Sequence, residues 1–126
     1  QCLIIGSAIL YELNIIKSDT INDVDIVLLD PALWEKFSQQ YKVIDVPYGK
    51  AIRLGRAFPN PWKIEFLNCI GPEKFQYMIR EGIVSNGINF ITLENLITFK
   101  ELFDRPEDRI HIELIKKYLL MQKKER

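Results

Sequence analysis

The 126 residues are 48% hydrophobic and 27% charged, and 17 Lys and Arg balance 17 Asp and Glu, which describes one globular domain able to bury about two-thirds of its unfolded surface. A formal charge of zero removes the case for a broad basic face that grips nucleic acid by neutralising phosphates, yet leaves room for a local phosphate site. Cys2 and Cys69 make neither a disulfide framework nor a CxxC metal pair. They fit a cytoplasmic chain, with one disulfide still open. No apolar run approaches the roughly 18 to 20 residues of a spanning helix, and no membrane role is expected. The chain opens at Gln1 inside an apolar run, so its natural start is expected to precede it.

Leu3 to Ile5 reads as a buried strand closed by Gly6-Ser7. Ile9, Leu13 and Ile16 then fall at i, i+4 and i+7, predicting a helix over Ala8 to Ile16. After a polar loop, Asp23 to Leu29 has the apolar density of a central strand. Asp30-Pro31 reads as an N-cap followed by proline at the first helical position, with Leu33, Trp34 and Phe37 giving that helix its buried face. Lys42 to Val46 and Ala51 to Leu54, separated by Pro47-Tyr48-Gly49, predict a hairpin. Past the Pro59-Asn60-Pro61 break, Trp62, Ile64 and Phe66 alternate with Lys63, Glu65 and Leu67, a strand with Glu65 opposite the aromatic stripe.

Gly71-Pro72-Glu73 starts a helix carrying Phe75, Met78 and Ile79 that Gly82 ends. Ser85-Asn86-Gly87 favours a type I′ hairpin between Ile83-Val84 and Ile88 to Ile91. Thr92 caps a helix to about Phe103, Asp104-Arg105-Pro106 interrupts it, and a last helix runs from Glu107 toward Lys123 before a frayed end. The expected fold class is therefore α/β (α+β): a mixed sheet flanked by helices, in a single domain over 1–126.

Three features of this chain carry chemistry. Gly6-Ser7 at a helix start offers backbone N–H groups and a hydroxyl to an anion, though a turn glycine and a serine cap would look the same. Asp23 and Asp25 share one strand face with Cα atoms roughly 6.5 to 7 Å apart, provided that Asp23 belongs to the strand. Two carboxylates so placed repel unless a cation lies between them, and Mg²⁺ takes such ligands together with water and phosphate. Glu65 is an acid that alternation also allows to face solvent. If its strand lies beside the Asp23-Asp25 strand, three acids line one groove and could hold a metal pair about 3.5 to 4 Å apart.

The order strand, Gly-Ser, helix, Asp-x-Asp strand and later acidic strand resembles the nucleotidyltransferase domain of the DNA polymerase beta superfamily. Ile4-Ile5-Gly6-Ser7-Ala8 through Asp23-Val24-Asp25-Ile26-Val27 is similar to the start of its small bacterial members, among them abortive-infection toxins and antibiotic nucleotidyltransferases. Leu93 to Lys100 followed by Arg105-Pro106-Glu107-Asp108 resembles the two late helices and intervening turn of that group. His111 stands where many relatives carry an aspartate, and Glu65 where Asp is commoner.

The resemblance implies an enzyme that transfers an NMP from an NTP to a hydroxyl of RNA, protein or a small molecule. Asp23, Asp25 and Glu65 would hold Mg²⁺ or Mn²⁺ and carry catalysis. Gly6, Ser7 and Lys100 would bind phosphate, and a toxin role would bring an antitoxin partner. The alternative is a catalytically inactive binding or regulatory module of the same fold. Lys100 falls on the apolar stripe of its helix, where a snorkelling lysine is equally expected. Arg53 and Arg56 read as a solvated edge that could flank the groove. His111 reads as a packing or surface residue, Asp108 as an acid opposing a helix dipole, and Cys69 as lacking the neighbours of a nucleophile.

Overall fold

A computed structural model of the chain describes residues 2–17, 23–46, 49–56, 63–68 and 73–124. Seven strands form one mixed sheet: β1 (Cys2–Ile5), β2 (Asp23–Leu28), β3 (Ile44–Val46), β4 (Gly49–Arg56), β5 (Lys63–Leu67), β6 (Ile83–Ser85) and β7 (Ile88–Phe90), in the order β3-β4-β5-β2-β1-β7-β6. Among the described residues four α-helices accompany them: α1 (Ala8–Glu12), α2 (Pro31–Gln40), α3 (Leu93–Phe103) and α4 (Pro106–Lys124). The expected mixed sheet with two C-terminal helices is thus the architecture found. Among the described residues, no helix is long and apolar enough to cross a membrane.

The sheet's centre is set by pairing. β1 lies antiparallel to β2 and parallel to β7, and β2 lies parallel to β5. Because cross-strand partners point to one side, Leu3 with Val27, Val27 with Leu67, and Leu67 with Ala51 make one apolar row on a single face. All four belong to the main core, with Ile9, Leu10, Leu96, Phe99 and Ile115 of the helices against them. α2 serves the opposite face, where Phe37 stacks on Phe66 at 5.0 Å between ring centroids. Leu33, Trp34 and Phe37 are only half-buried there.

Several local expectations hold in detail. The Asp30 side chain accepts from the Ala32 N–H ahead of Pro31, and Thr92 accepts from the Asn95 N–H. Asn86 and Gly87 both adopt positive φ, as a type I′ turn requires, so Ser85 belongs to its strand. Others change. Helix α1 stops at Glu12 rather than Ile16, since Asn14 turns left-handed at φ 59 and the Ile15 and Ile16 N–H groups both return to the Leu10 carbonyl. Leu13, Ile15 and Ile16 still pack on the core from that turn. β3 starts at Ile44 rather than Lys42, and the segment after Glu73 is a 3₁₀ helix, Glu73–Arg80, that buries Met78. α4 starts one residue earlier, at Pro106. Pro47-Tyr48, Pro59-Asn60-Pro61, Trp62, Cys69 and Gly71-Pro72 lie outside the described residues, as do the side chains of Arg56 and Phe75.

Candidate functional site

The apolar row on the core face ends one pair further along each strand. Ile5 stands opposite Asp25, Asp25 opposite Glu65, and Glu65 opposite Arg53. Acids therefore occupy the core face of the sheet just where the row Leu3, Val27, Leu67 stops, and they meet the Gly6-Ser7 turn that leaves β1. Gly6 makes this closeness possible. Its φ of +79° suits glycine, and a methyl group there would stand 3.2 Å from Asp25 Oδ2.

A groove of about 300 Å³ opens at this edge, at the lower end of small-ligand sites. Gly6, Ser7, Asp23, Asp25, Glu65 and Lys100 all line it, so the six residues singled out in the sequence are gathered in one place. They are not equivalent. Asp23 opens β2 and is exposed, with Lys63 as its cross-strand partner. Asp25 is sunk deeper, and its carboxyl is pushed up to about 7, first by burial and then by the neighbouring Glu65 and Asp23 carboxylates, with Arg105 and Lys100 opposing. Glu65 Oε2 accepts from Arg53 Nε at 2.7 Å, a pair whose arginine side is 64% exposed.

Among the described residues, no group of three or more His, Cys, Asp or Glu is arranged to hold a metal ion. Asp25 and Glu65 form a pair, and Asp23 lies further along the same rim. Hard divalent cations are commonly held by one or two carboxylates with water and phosphate completing the shell. A raised carboxyl beside a second acid is the electrostatic condition that such a cation relieves. Asp25 and Glu65 supply two carboxylates, a number with which proteins hold Mg²⁺ or Mn²⁺ alongside water and phosphate, and Glu65 is bonded to Arg53.

The other wall is a cationic network rooted in α3 and α4. Lys100 is 4% exposed. Its ammonium donates to Ser7 Oγ at 3.1 Å and Asp108 Oδ1 at 3.3 Å, and lies 3.0 Å from His111 Nδ1. Burial pulls the ammonium below the usual lysine range, while Asp108 works the other way. Lys100 thus does not snorkel. Ser7 makes no side-chain cap to α1; its hydroxyl faces Lys100 instead, with His111 Nδ1 3.4 Å away.

Asp108, fully buried, accepts from the Arg105 backbone N–H at 3.1 Å, from Arg105 Nε at 2.8 Å and Nη2 at 3.2 Å, as well as from Lys100. Burial alone would raise its carboxyl; the bonds from Arg105, with Lys100, hold it below the usual range. An acid at the third position of a helix, returning to the N–H before its first residue, is half of a capping box. That local cue explains Asp108 as a helix start; its place under Lys100 depends on the crossing of α3 and α4.

Arg105, Asp108 and His111 all line the groove, beyond the packing and dipole roles read from sequence. The available signal was spacing, since Asp108 and His111 lie three apart on one face of α4. The chain matches no family model, no curated protein and no solved structure.

Proposed function

We propose that the chain is a metal-dependent nucleotidyltransferase that moves an NMP from an NTP to a hydroxyl acceptor. The observation that carries this reading is the register that sets Asp25 beside Glu65, beneath the Gly6-Ser7 turn and opposite a buried lysine. A bound Mg²⁺ would supply charge neutralisation at the phosphates and at the attacking oxygen. Asp25 and Glu65, with Asp23 at the rim, would be its holders. Ser7 and its neighbouring backbone N–H groups would bind the outer phosphates, backed by the positive charge of Lys100. α1 has five residues, so its dipole adds little and the hydroxyl and cations carry the anion.

In this reaction the acceptor oxygen bonds to the α-phosphorus, the bond to the β-phosphate breaks and pyrophosphate leaves. Glu65 takes the acceptor's proton. The acceptor in this proposal is RNA, a protein or a small molecule, and a cytoplasmic site, with an antitoxin partner for a toxin, belongs to the same proposal.

Incubation with labelled NTPs, Mg²⁺ and each class of acceptor tests it. Transfer is expected from the native chain and lost in the Asp23→Ala, Asp25→Ala double variant; transfer that survives both substitutions removes the mechanism. One observation favours the rival, an inactive binding module: Glu65 is already engaged by Arg53, and Lys100 by Ser7 and Asp108. Calorimetric titration of ATP with and without Mg²⁺ separates them, because strong metal-linked binding goes with the transferase.

A further inference from the structure

An ammonium group carries three N–H bonds and accepts nothing. Around Lys100 Nζ stand three acceptors, one from the turn after β1 and two from α4: Ser7 Oγ at 3.1 Å, Asp108 Oδ1 at 3.3 Å and His111 Nδ1 at 3.0 Å. We infer that His111 is a positioning residue: its Nδ1 takes the third N–H of Lys100, which fixes the ammonium on Ser7 and leaves the Ser7 hydroxyl proton for an anion in the groove.

The bonding follows from valence. Nδ1 can accept only when it carries no proton, so the ring is neutral with its proton on Nε2. Nδ1 has one lone pair in the ring plane. The ammonium at 3.0 Å takes it in preference to the Ser7 hydroxyl at 3.4 Å. Ser7 Oγ, already accepting from Lys100, then has its own proton to give. Lys100 serves as an organiser of Ser7 more than as a direct phosphate ligand.

The charges facing the ring agree with this arrangement. Burial, then Lys100, hold the His111 imidazole below the ordinary histidine range near 6.5, with Arg105 adding to them and Asp108 and Glu107 opposing. Protonating the ring would place a second cation against Lys100 and remove the acceptor. The phosphate half of the inference rests on the nucleotide reading of the groove. The arrangement of Lys100 does not.

His111 is the chain's only histidine, so its imidazole resonances are unambiguous. Nitrogen and carbon spectra of the full chain across pH should show the Nε2–H tautomer at pH 7.5 and a midpoint below the ordinary value, and Lys100→Met should move that midpoint upward. An Nδ1–H tautomer, or a midpoint that ignores Lys100→Met, overturns the arrangement.

Titration with ATP and Mg²⁺ reads the second half. His111→Leu, which lacks an acceptor, should weaken binding about tenfold. His111→Asn, whose Oδ1 can replace Nδ1, should stay within about threefold and lose the part of the acid decline that His111 causes. Asp25 titrates in both chains, so the difference between their pH profiles belongs to His111. Equal losses in the Leu and Asn variants overturn the positioning role. A native chain that binds no ATP overturns the nucleotide reading and the phosphate half with it, while the spectra decide the Lys100 arrangement by themselves.

Discussion

Asp25 and Glu65 face each other across the parallel β2–β5 pair, two acids on the core side of a sheet whose next row is Val27 and Leu67. This placement has a cost in stability. The Asp25 carboxyl is raised to about 7 in the folded chain, whereas an unfolded chain ionises it near its ordinary value of about 3.9. Between those values the folded state binds more protons than the unfolded one, so stability falls as pH rises through that window and levels off above it. Asp25→Asn removes the penalty. It should leave stability at pH 4 nearly unchanged and raise it at pH 8 by about 2 to 4 kcal/mol, read from urea unfolding at the two pH values. A variant less stable than the native chain at pH 8 contradicts the assignment.

The same titration predicts how a cation acts. In the proposed metal-dependent site Mg²⁺ would compete with the proton for Asp25, so it should stabilise the chain where the carboxyl is ionised. At ten times its dissociation constant the gain is about 1.4 kcal/mol, or about 3 to 6 °C in Tm, at pH 8. At pH 5.5 the shift should nearly vanish. Thermal melts with Mg²⁺ and with equal ionic strength of NaCl check this, and Asp25→Asn should abolish the difference.

Which parts of this site were legible in the sequence follows from the range of the forces involved. Thr92, Asp30 and Asn86-Gly87 act within a few residues, so capping and turn chemistry located them. Asp23 and Asp25 were readable because alternation along one strand needs no partner. The pairing of Glu65 with Asp25 requires β5 to lie next to β2, across a chain separation that no local pattern encodes. From the sequence His111 reads only as a packing or surface residue and Asp108 only as an acid opposing a helix dipole. What gives them a role is the buried Lys100 from the preceding helix, and its burial is a property of how α3 crosses α4. Ile16 lies outside α1 for a related reason: Asn14 adopts a left-handed turn that ends the helix, and the apolar periodicity continues through that turn because those side chains still pack on the core.

Gly6 joins the backbone to the acids. Gly6→Ala places a side chain at φ +79° and a methyl 3.2 Å from Asp25 Oδ2. The left-handed conformation alone costs about 1 to 2 kcal/mol. The carboxylate must also turn aside, so the Mg²⁺-dependent shift in Tm at pH 8 should shrink together with stability. Gly87→Ala provides the comparison. It has a similar φ of +77° but nothing within 4 Å of the added methyl, so it should lose comparable stability and keep the whole metal response.

Asp108 tests the opposite wall. Its carboxylate is fully buried and holds Lys100 Nζ, Arg105 Nε and Nη2, and the Arg105 backbone N–H. Removing it in Asp108→Ala leaves a buried ammonium without its counter-charge and an uncapped first turn of α4, a loss of about 3 to 5 kcal/mol at pH 7.5. Asp108→Asn keeps an acceptor and should lose less. Because the folded carboxyl lies below its unfolded value, the native advantage is complete above about pH 4 and disappears as pH falls through the folded value. The stability gap between the native chain and Asp108→Ala, measured by urea unfolding, should therefore narrow in acid. A gap under about 1 kcal/mol at pH 7.5, or one that widens toward pH 3, would show that Lys100 is not held by this carboxylate.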